Sequence, residues 1–493
     1  MTPRVRRTLL FSILAFSIAV RLSLVESGGQ LFWWDEAKFQ GFSDAASEGR
    51  WHDAILTLRD RGDHFAFGLT WVIPDVIAYV LHEFNLTEKG DAEDGTAQVF
   101  YGMVSVVSIW LLWRIMRQAG ASDAESLVAT ALLATSSTFF YYARHWLPYD
   151  LAMMCGLLAL VAGIRPSPRI AHSLACGFLA TCAFMLYLGY WTLAGAVVLL
   201  HATYAPASWR DVGRRLAAAA VGAAVFMATI FWLFSAINDR SLLDAFTNHA
   251  GRINQGAFSE GWSLPFEYFW HAEHGVLLLW LAALGSCVWR LRKGQVSGLA
   301  KASLLAVFVI YGALFFSSVA LERFVVYGRL ARPLVPFFCV IAAHELVRMR
   351  RPSWIRAGAV MAAAAALLVQ TAVNFRAPLV QSFPNEFHQT FGPLVKDLPP
   401  YEPDLPVRSS LWVNAERFYP SPPVVQLPPY YRYKVLAEAR HPLQFLPYQY
   451  EGSDPSQREV LRSSDLRMRL LLVEPDPGGS NSGFGAGRRP VLR

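Results

Sequence analysis

Residues 65–84 read Phe65-Ala66-Phe67-Gly68-Leu69-Thr70-Trp71-Val72-Ile73-Pro74-Asp75-Val76-Ile77-Ala78-Tyr79-Val80-Leu81-His82-Glu83-Phe84. Whether this run crosses a membrane decides the topology of the whole chain. It has the length of a spanning helix, about 20 residues, but it carries Pro74 and Asp75. Further apolar stretches lie near 8–25, 97–113, 124–142, 150–164, 170–187, 190–204, 216–236, 275–290, 299–319, 330–347 and 356–373. Arg4, Arg6 and Arg7 precede the first of them. Arg114 and Arg117, Arg165 and Arg169, then Arg210, Arg214 and Arg215 fall in alternate connections. Arg290, Arg292, Lys293 and Lys301, then Arg348, Arg350, Arg351 and Arg356, continue the pattern. If 65–84 does not cross, all these basic turns share one side, as the positive-inside rule requires. If it crosses, every later basic turn is placed outside. The expectation is a membrane-embedded or surface-lying helix over 65–84 on the outer face. The chain then reads as an α-helical polytopic bundle of about 11 transmembrane helices, with a cytoplasmic N-terminus.

Composition points the same way. Of 493 residues, 54% are hydrophobic and 16% charged, and the mean hydropathy is +0.31. Such values describe a membrane protein and exclude a large soluble enzyme. The net charge of +7 is a topology signal. No basic stripe interleaved with aromatics marks a nucleic-acid surface, so no nucleic-acid partner is expected. The first span reads as an uncleaved signal anchor, and Arg6-Arg7 as its inner charge anchor. Cys155, Cys176, Cys182, Cys287 and Cys339 all fall in candidate spans. They read as packing residues, away from any outer disulfide or metal spacing.

Two regions follow. Residues 1–374 form the expected transmembrane domain, with outer loops at 26–96 and 237–274. From 375 to 493 prolines crowd the chain, yet Ser410-Leu411-Trp412-Val413 and Leu470-Leu471-Leu472-Val473 read as strands. A small C-terminal extracytoplasmic α/β or irregular domain is expected, ending in a mobile Gly-, Ser- and Arg-rich segment from Gly478. No internal repeat is visible, which argues against an inverted-repeat transporter.

Trp33-Trp34-Asp35-Glu36-Ala37 lies just past the outer end of the first span. Adjacent carboxylates at a membrane boundary are costly to dehydrate and have no packing use there. They can serve as a general base, a metal ligand or a clamp on a hydroxyl. The plainer alternative is a solvated acid pair beside an aromatic belt. Arg144-His145-Trp146-Leu147-Pro148-Tyr149-Asp150 occupies the outer turn after the third span. Its arginine can hold a phosphate or carboxylate, or snorkel to headgroups. The loop 237–274 concentrates His249, Arg252, Asn254, Glu260, Glu267, His271, Glu273 and His274. Contact with phosphate or sugar fits it better than metal binding, since no pair of histidines falls at helical i, i+4 spacing. Arg329 and Arg332 lead into Pro333 and Pro336 at the outer start of a late span. They could neutralise a lipid-linked phosphate or anchor the helix. Arg21, in the outer part of the first span, is a snorkeller or a partner for nearby acids.

These elements in this order resemble the GT-C glycosyltransferases. The nearest kin are the bacterial relatives of protein O-mannosyltransferases and of the lipid A aminoarabinose transferase. Arg21 followed by Leu31-Phe32-Trp33-Trp34-Asp35-Glu36-Ala37 is similar to the family's first-loop signature. Asp63-His64 is similar to an Asp-x-His-Pro-Pro element, though Phe65 and Ala66 replace the prolines. Tyr142-Ala143-Arg144 with Tyr149-Asp150, and Arg332-Pro333-Leu334-Val335-Pro336, match two later elements. The resemblance implies an inverting transfer of a sugar from a polyprenyl-phosphate donor to a glycan, lipid or protein hydroxyl, outside the inner membrane. It makes Asp35 the base and Glu36 an orienting group. Arg144 becomes the first phosphate clamp, with Arg252, Arg329 or Arg332 as a second. His64, Tyr149, Asp150, His249, His271 and His274 become substrate contacts. No cofactor is expected; some members use a divalent metal, and metal-independence is the preferred reading here. The competing classes are a secondary transporter and a non-catalytic lipid- or glycan-binding scaffold. A transporter would place ionisable residues near the bilayer midplane.

Overall fold

The computed structural model describes residues 2–26, 42, 45–46, 49–59, 65–84, 91–141, 147–238, 241–244, 246–247, 264–317, 328–349 and 369, together with five strands between 410 and 473. The helices are α1 (Pro3–Glu26), α2 (Trp51–Thr57), α3 (Phe65–Thr70), α4 (Val72–Glu83), α5 (Asp91–Gln118), α6 (Asp123–Thr135), α7 (Ser137–Tyr141) and α8 (Tyr149–Gly163). They continue as α9 (Ile170–Leu186), α10 (Trp191–Thr203), α11 (Trp209–Ile237), α12 (Leu264–Glu273), α13 (Gly275–Arg292), α14 (Gly298–Phe315), α15 (Gly328–Ala331) and α16 (Val335–Val347). Short 3-10 turns at Leu188–Tyr190 and Arg332–Leu334 precede α10 and α16.

Four helices among the described residues are long and apolar enough to cross a membrane: Thr96–Gln118 within α5, α11, α13 and α14. Shorter apolar helices, α8, α9 and α10 among them, fill the bundle around them. The chain is a multi-pass membrane protein. Within the described residues, the candidate spans from 8–25 to 330–347 are helical, with 124–142 and 330–347 each interrupted; 356–373 lies almost wholly outside the described residues.

The helices are interrupted where the sequence supplies a reason. The run 124–142 breaks at Ser136, whose backbone is extended (φ −65, ψ 120). The run 330–347 begins as α15 and a 3-10 turn, because Pro333 and Pro336 lack the N–H that a continuous helix would use. The run 65–84 is two helices split at Trp71, and Pro74 is tolerated inside the first turn of α4. Trp71 is fully buried and meets Tyr101 of α5 edge-on at 6.3 Å. Phe65 meets Phe234 of α11 at 5.0 Å. The other face of α4 leaves Ile73, Val76, Ile77 and Val80 exposed at i, i+3, i+4, i+7 spacing.

Two ends of the bundle are chemically distinct. At one, Asp123 pairs with Arg6 (3.2 Å) and Arg117 (2.7 Å). Glu125 there closes a capping box with Ser122 and takes contacts from His344 and Arg348 at 3.2 Å. Glu345 accepts from Ser286 (2.5 Å) and pairs with Arg290 (3.2 Å). Arg215, buried, donates to the carbonyls of His201 (3.1 Å), Tyr204 (2.7 Å) and Pro166 (3.2 Å) and pairs with Asp211 at 2.6 Å. These contacts tie the connections of α1, α5, α6, α10, α11, α13 and α16 into one arginine-rich end. Between the ends, α9 and α11 approach backbone to backbone. A Cβ on Gly177 would lie 1.8 Å from the Ala219 carbonyl oxygen, and one on Gly222 would lie 2.0 Å from that of Leu174. Small residues at a membrane helix crossing allow this approach. Cys155 and Cys182 face each other across α8 and α9 with sulfurs 3.6 Å apart, and all five cysteines are free thiols.

Beyond the helices, β1 (Ser410–Asn414), β2 (Val424–Gln426), β3 (Tyr433–Ala437), β4 (Gln457–Ser463) and β5 (Met468–Val473) pair in the order β2-β1-β3-β5-β4. The β1–β3 pair is parallel and the others antiparallel. Both stretches read as strands from sequence lie in this sheet, in β1 and β5.

Candidate active site

The opposite end of the bundle gathers the C-terminal part of α1, α7, the first turn of α8, the 3-10 turn ahead of α16 and the Leu188–Tyr190 turn. Arg332 is completely buried there. Its 3-10 turn aims the guanidinium across the bundle, where Nη2 donates to Asp150 Oδ1 at 2.5 Å and to the Phe139 carbonyl at 3.1 Å. Its carbon centre also lies 4.6 Å from the centroid of the Phe139 ring, within cation–π range. Asp150, 1% exposed, occupies the first turn of α8, where the helix dipole favours a negative charge.

Arg21 enters from α1. It is 1% exposed and donates from Nε (3.1 Å) and Nη2 (3.0 Å) to Ser105 Oγ of α5, and from Nη1 to the Ser17 carbonyl (3.2 Å). Asp150 attracts this guanidinium and Arg332 repels it. Arg21 is therefore an interior residue with its head group held inside the bundle; it does not snorkel. Two buried guanidinium groups and the carboxylate of Asp150 thus lie together at this end of the bundle. Above them, Tyr149, Tyr187 and Tyr190 form edge-to-face pairs at 4.7 and 5.1 Å. The extended backbone of Tyr187 (φ −145, ψ 105) ends α9 and opens this aromatic corner.

A second buried carboxylate belongs to Glu273, at the last position of α12. It accepts hydrogen bonds from Ser136 Oγ (2.6 Å), Thr138 N (2.8 Å) and Ser137 N (3.3 Å). Burial pushes its carboxyl pKa up, and those three donors act against the rise. The helix that carries it is anchored by Phe269, which meets Trp280 and Phe338 edge-on at 5.6 and 6.0 Å.

Of the residues proposed from sequence, Tyr149, Asp150 and Arg332 are brought together here. His274 is half-buried at the joint between α12 and α13, with φ +45. His271 lies in the last turn of α12 and Arg329 in α15, and their side chains are outside the described residues. Asp35, Glu36, His64, Arg144, His249 and Arg252 lie outside the described residues altogether. Among the described residues no group of three or more His, Cys, Asp or Glu side chains could hold a metal ion. Tyr187 and Tyr190 were given no role by the sequence reading, and Glu273 entered it only as one of the polar residues of loop 237–274, read as contacts for phosphate or sugar.

No protein-family model matches the chain, and no curated protein matches it in sequence. The chain is similar to several solved structures. ArnT from Cupriavidus metallidurans, bound to undecaprenyl phosphate, superposes with a TM-score of 0.52 at 13% identity, over 94% of this chain and 97% of that one. The Archaeoglobus fulgidus oligosaccharyltransferase tethered with an acceptor peptide gives 0.43 at 10% identity, over 79% of this chain and 57% of the other. The Archaeoglobus AglB bound to an inhibitory peptide and dolichol phosphate gives 0.43 at 10% identity as well. The ArnT likeness covers nearly both chains from end to end and establishes the fold.

Proposed function

We propose that this chain is an inverting glycosyltransferase that moves a sugar from a polyprenyl-phosphate donor to an acceptor hydroxyl. The observation that carries the reading is the pair of buried guanidinium groups, Arg21 and Arg332, held beside Asp150 at one end of an ArnT-like bundle. Guanidinium groups fixed in this way suit an anionic ligand group such as phosphate. Beside a membrane bundle, a lipid-linked phosphate is the anion whose tail also finds an apolar groove.

The reaction needs a base and a charge sink. In this reading Asp35 takes the proton of the acceptor hydroxyl as its oxygen attacks the anomeric carbon from the face opposite the phosphate. The bond from that carbon to the phosphate oxygen breaks, and the phosphate leaves with a second negative charge. Fixed guanidinium groups stabilise that developing charge. Arg144 is the first clamp and Arg332, with Arg21 beside it, supplies the second. Glu36 orients the acceptor. His64, His249, Arg252, His271, His274 and Arg329 remain candidates for the donor and acceptor rim. The site end faces outward from the inner membrane, across from the arginine-rich cytoplasmic end, in a bundle of about 11 spans. The strands beyond residue 374 belong to an extracytoplasmic domain.

Native mass spectrometry in detergent tests the anion preference by titrating undecaprenyl phosphate against undecaprenol. The wild type is expected to hold the phosphate tighter, and Arg21→Met to lose roughly tenfold in that affinity. Equal affinity of the wild type for the two lipids would overturn the reading.

A further inference from the structure

Resting on that reading, we infer that Glu273 is a positioning residue for the donor phosphate: it clamps the start of α7 so that Phe139 holds Arg332. The links are short. Glu273 receives Ser136 Oγ and the amides of Ser137 and Thr138. Phe139 is the next residue. Its carbonyl accepts from Arg332 Nη2, and its ring lies beneath the guanidinium. The same Nη2 reaches Asp150. A carboxylate on one loop helix thus fixes the backbone that fixes the guanidinium.

The clamp explains a feature of the chain that otherwise has no use. A helix continuing from α6 through Ser136 would carry the backbone amides of Ser137 and Thr138 to carbonyls one turn earlier. The extended Ser136 frees both amides, and the buried Glu273 takes them. Orphan amides at a buried helix start must find acceptors, and here the acceptor comes from the far side of loop 237–274. Phe269, packed between Trp280 and Phe338, holds α12 in place so that the carboxylate arrives at a fixed depth. His274, at φ +45, turns the chain directly into α13. The end of the outer loop is therefore coupled to the guanidinium through one side chain.

A glutamine at 273 preserves shape but presents an amide group to backbone donors, leaving at least one of them without an acceptor. Ser136→Ala removes a single contact and leaves both backbone amides in place. Both variants are to be titrated by native mass spectrometry with undecaprenyl phosphate and with undecaprenol, alongside hydrogen–deuterium exchange over residues 136–141. Glu273→Gln is expected to weaken undecaprenyl phosphate about tenfold and Ser136→Ala about threefold, with undecaprenol unchanged and exchange at Ser137 and Thr138 faster. Equal weakening of both lipids would make Glu273 a merely structural residue and overturn the inference. Unchanged phosphate affinity in both variants would overturn it as well. Failure of the wild type itself to prefer the phosphate removes the glycosyltransferase reading first, a result seen before any variant is compared.

Discussion

Arg332 and Asp150 are 182 positions apart in sequence, yet their side chains meet at 2.5 Å with essentially no exposure of either. The pair joins the start of α16 to the start of α8 and lies next to Arg21. Desolvating two charges is expensive, so such a pair is weak evidence of net stabilisation, whereas breaking it strands a buried charge.

Removing one partner is accordingly predicted to be far worse than removing both. Arg332→Leu should cost about 3–5 kcal/mol, and the double replacement with Asp150→Leu should regain much of it. Thermal unfolding of the four proteins in one detergent gives the coupling energy. Strictly additive costs would show that the two side chains do not depend on each other.

The α9–α11 crossing makes a sharper steric prediction. Gly177→Ala and Gly222→Ala should each lower stability by about 1–3 kcal/mol, because the new methyl meets a carbonyl oxygen on the partner backbone. Gly195, with nothing within 4 Å of its would-be Cβ, should accept alanine without loss. Melting temperatures of the three variants decide it.

At the arginine-rich end, Arg215 holds the carbonyls of His201, Tyr204, Ala205 and Pro166 and pairs with Asp211, tying the α10–α11 connection to the α8–α9 one. A lysine keeps the charge but lacks the planar fork that reaches several acceptors at once. Arg215→Lys should therefore destabilise on the order of 2 kcal/mol and speed proteolysis between residues 203 and 209, while leaving lipid binding at the opposite end intact.

Much of the bundle was legible because membrane insertion writes itself into sequence twice, as apolar length and as the side on which arginines fall. Candidate spans such as 170–187 and 275–290 match α9 and α13 closely. The break at Ser136 was not legible, since it depends on a partner remote in sequence, Glu273. Arg21 was conspicuous as a charge in an apolar run, but Ser105, 84 residues on, is what receives it. Tyr149, Asp150 and Arg332 were picked out individually; their meeting is a property of the fold. Asp35, Glu36 and Arg144 stand on their sequence pattern, since they lie outside the described residues.

The most direct test of the central claim is transfer itself. Membranes containing the wild type or Asp35→Asn are supplied with radiolabelled sugars on polyprenyl phosphate, and incorporation into acceptor is measured at matched expression. The account predicts acceptor-dependent transfer by the wild type that falls at least about a hundredfold in Asp35→Asn. Undiminished transfer by Asp35→Asn would contradict it.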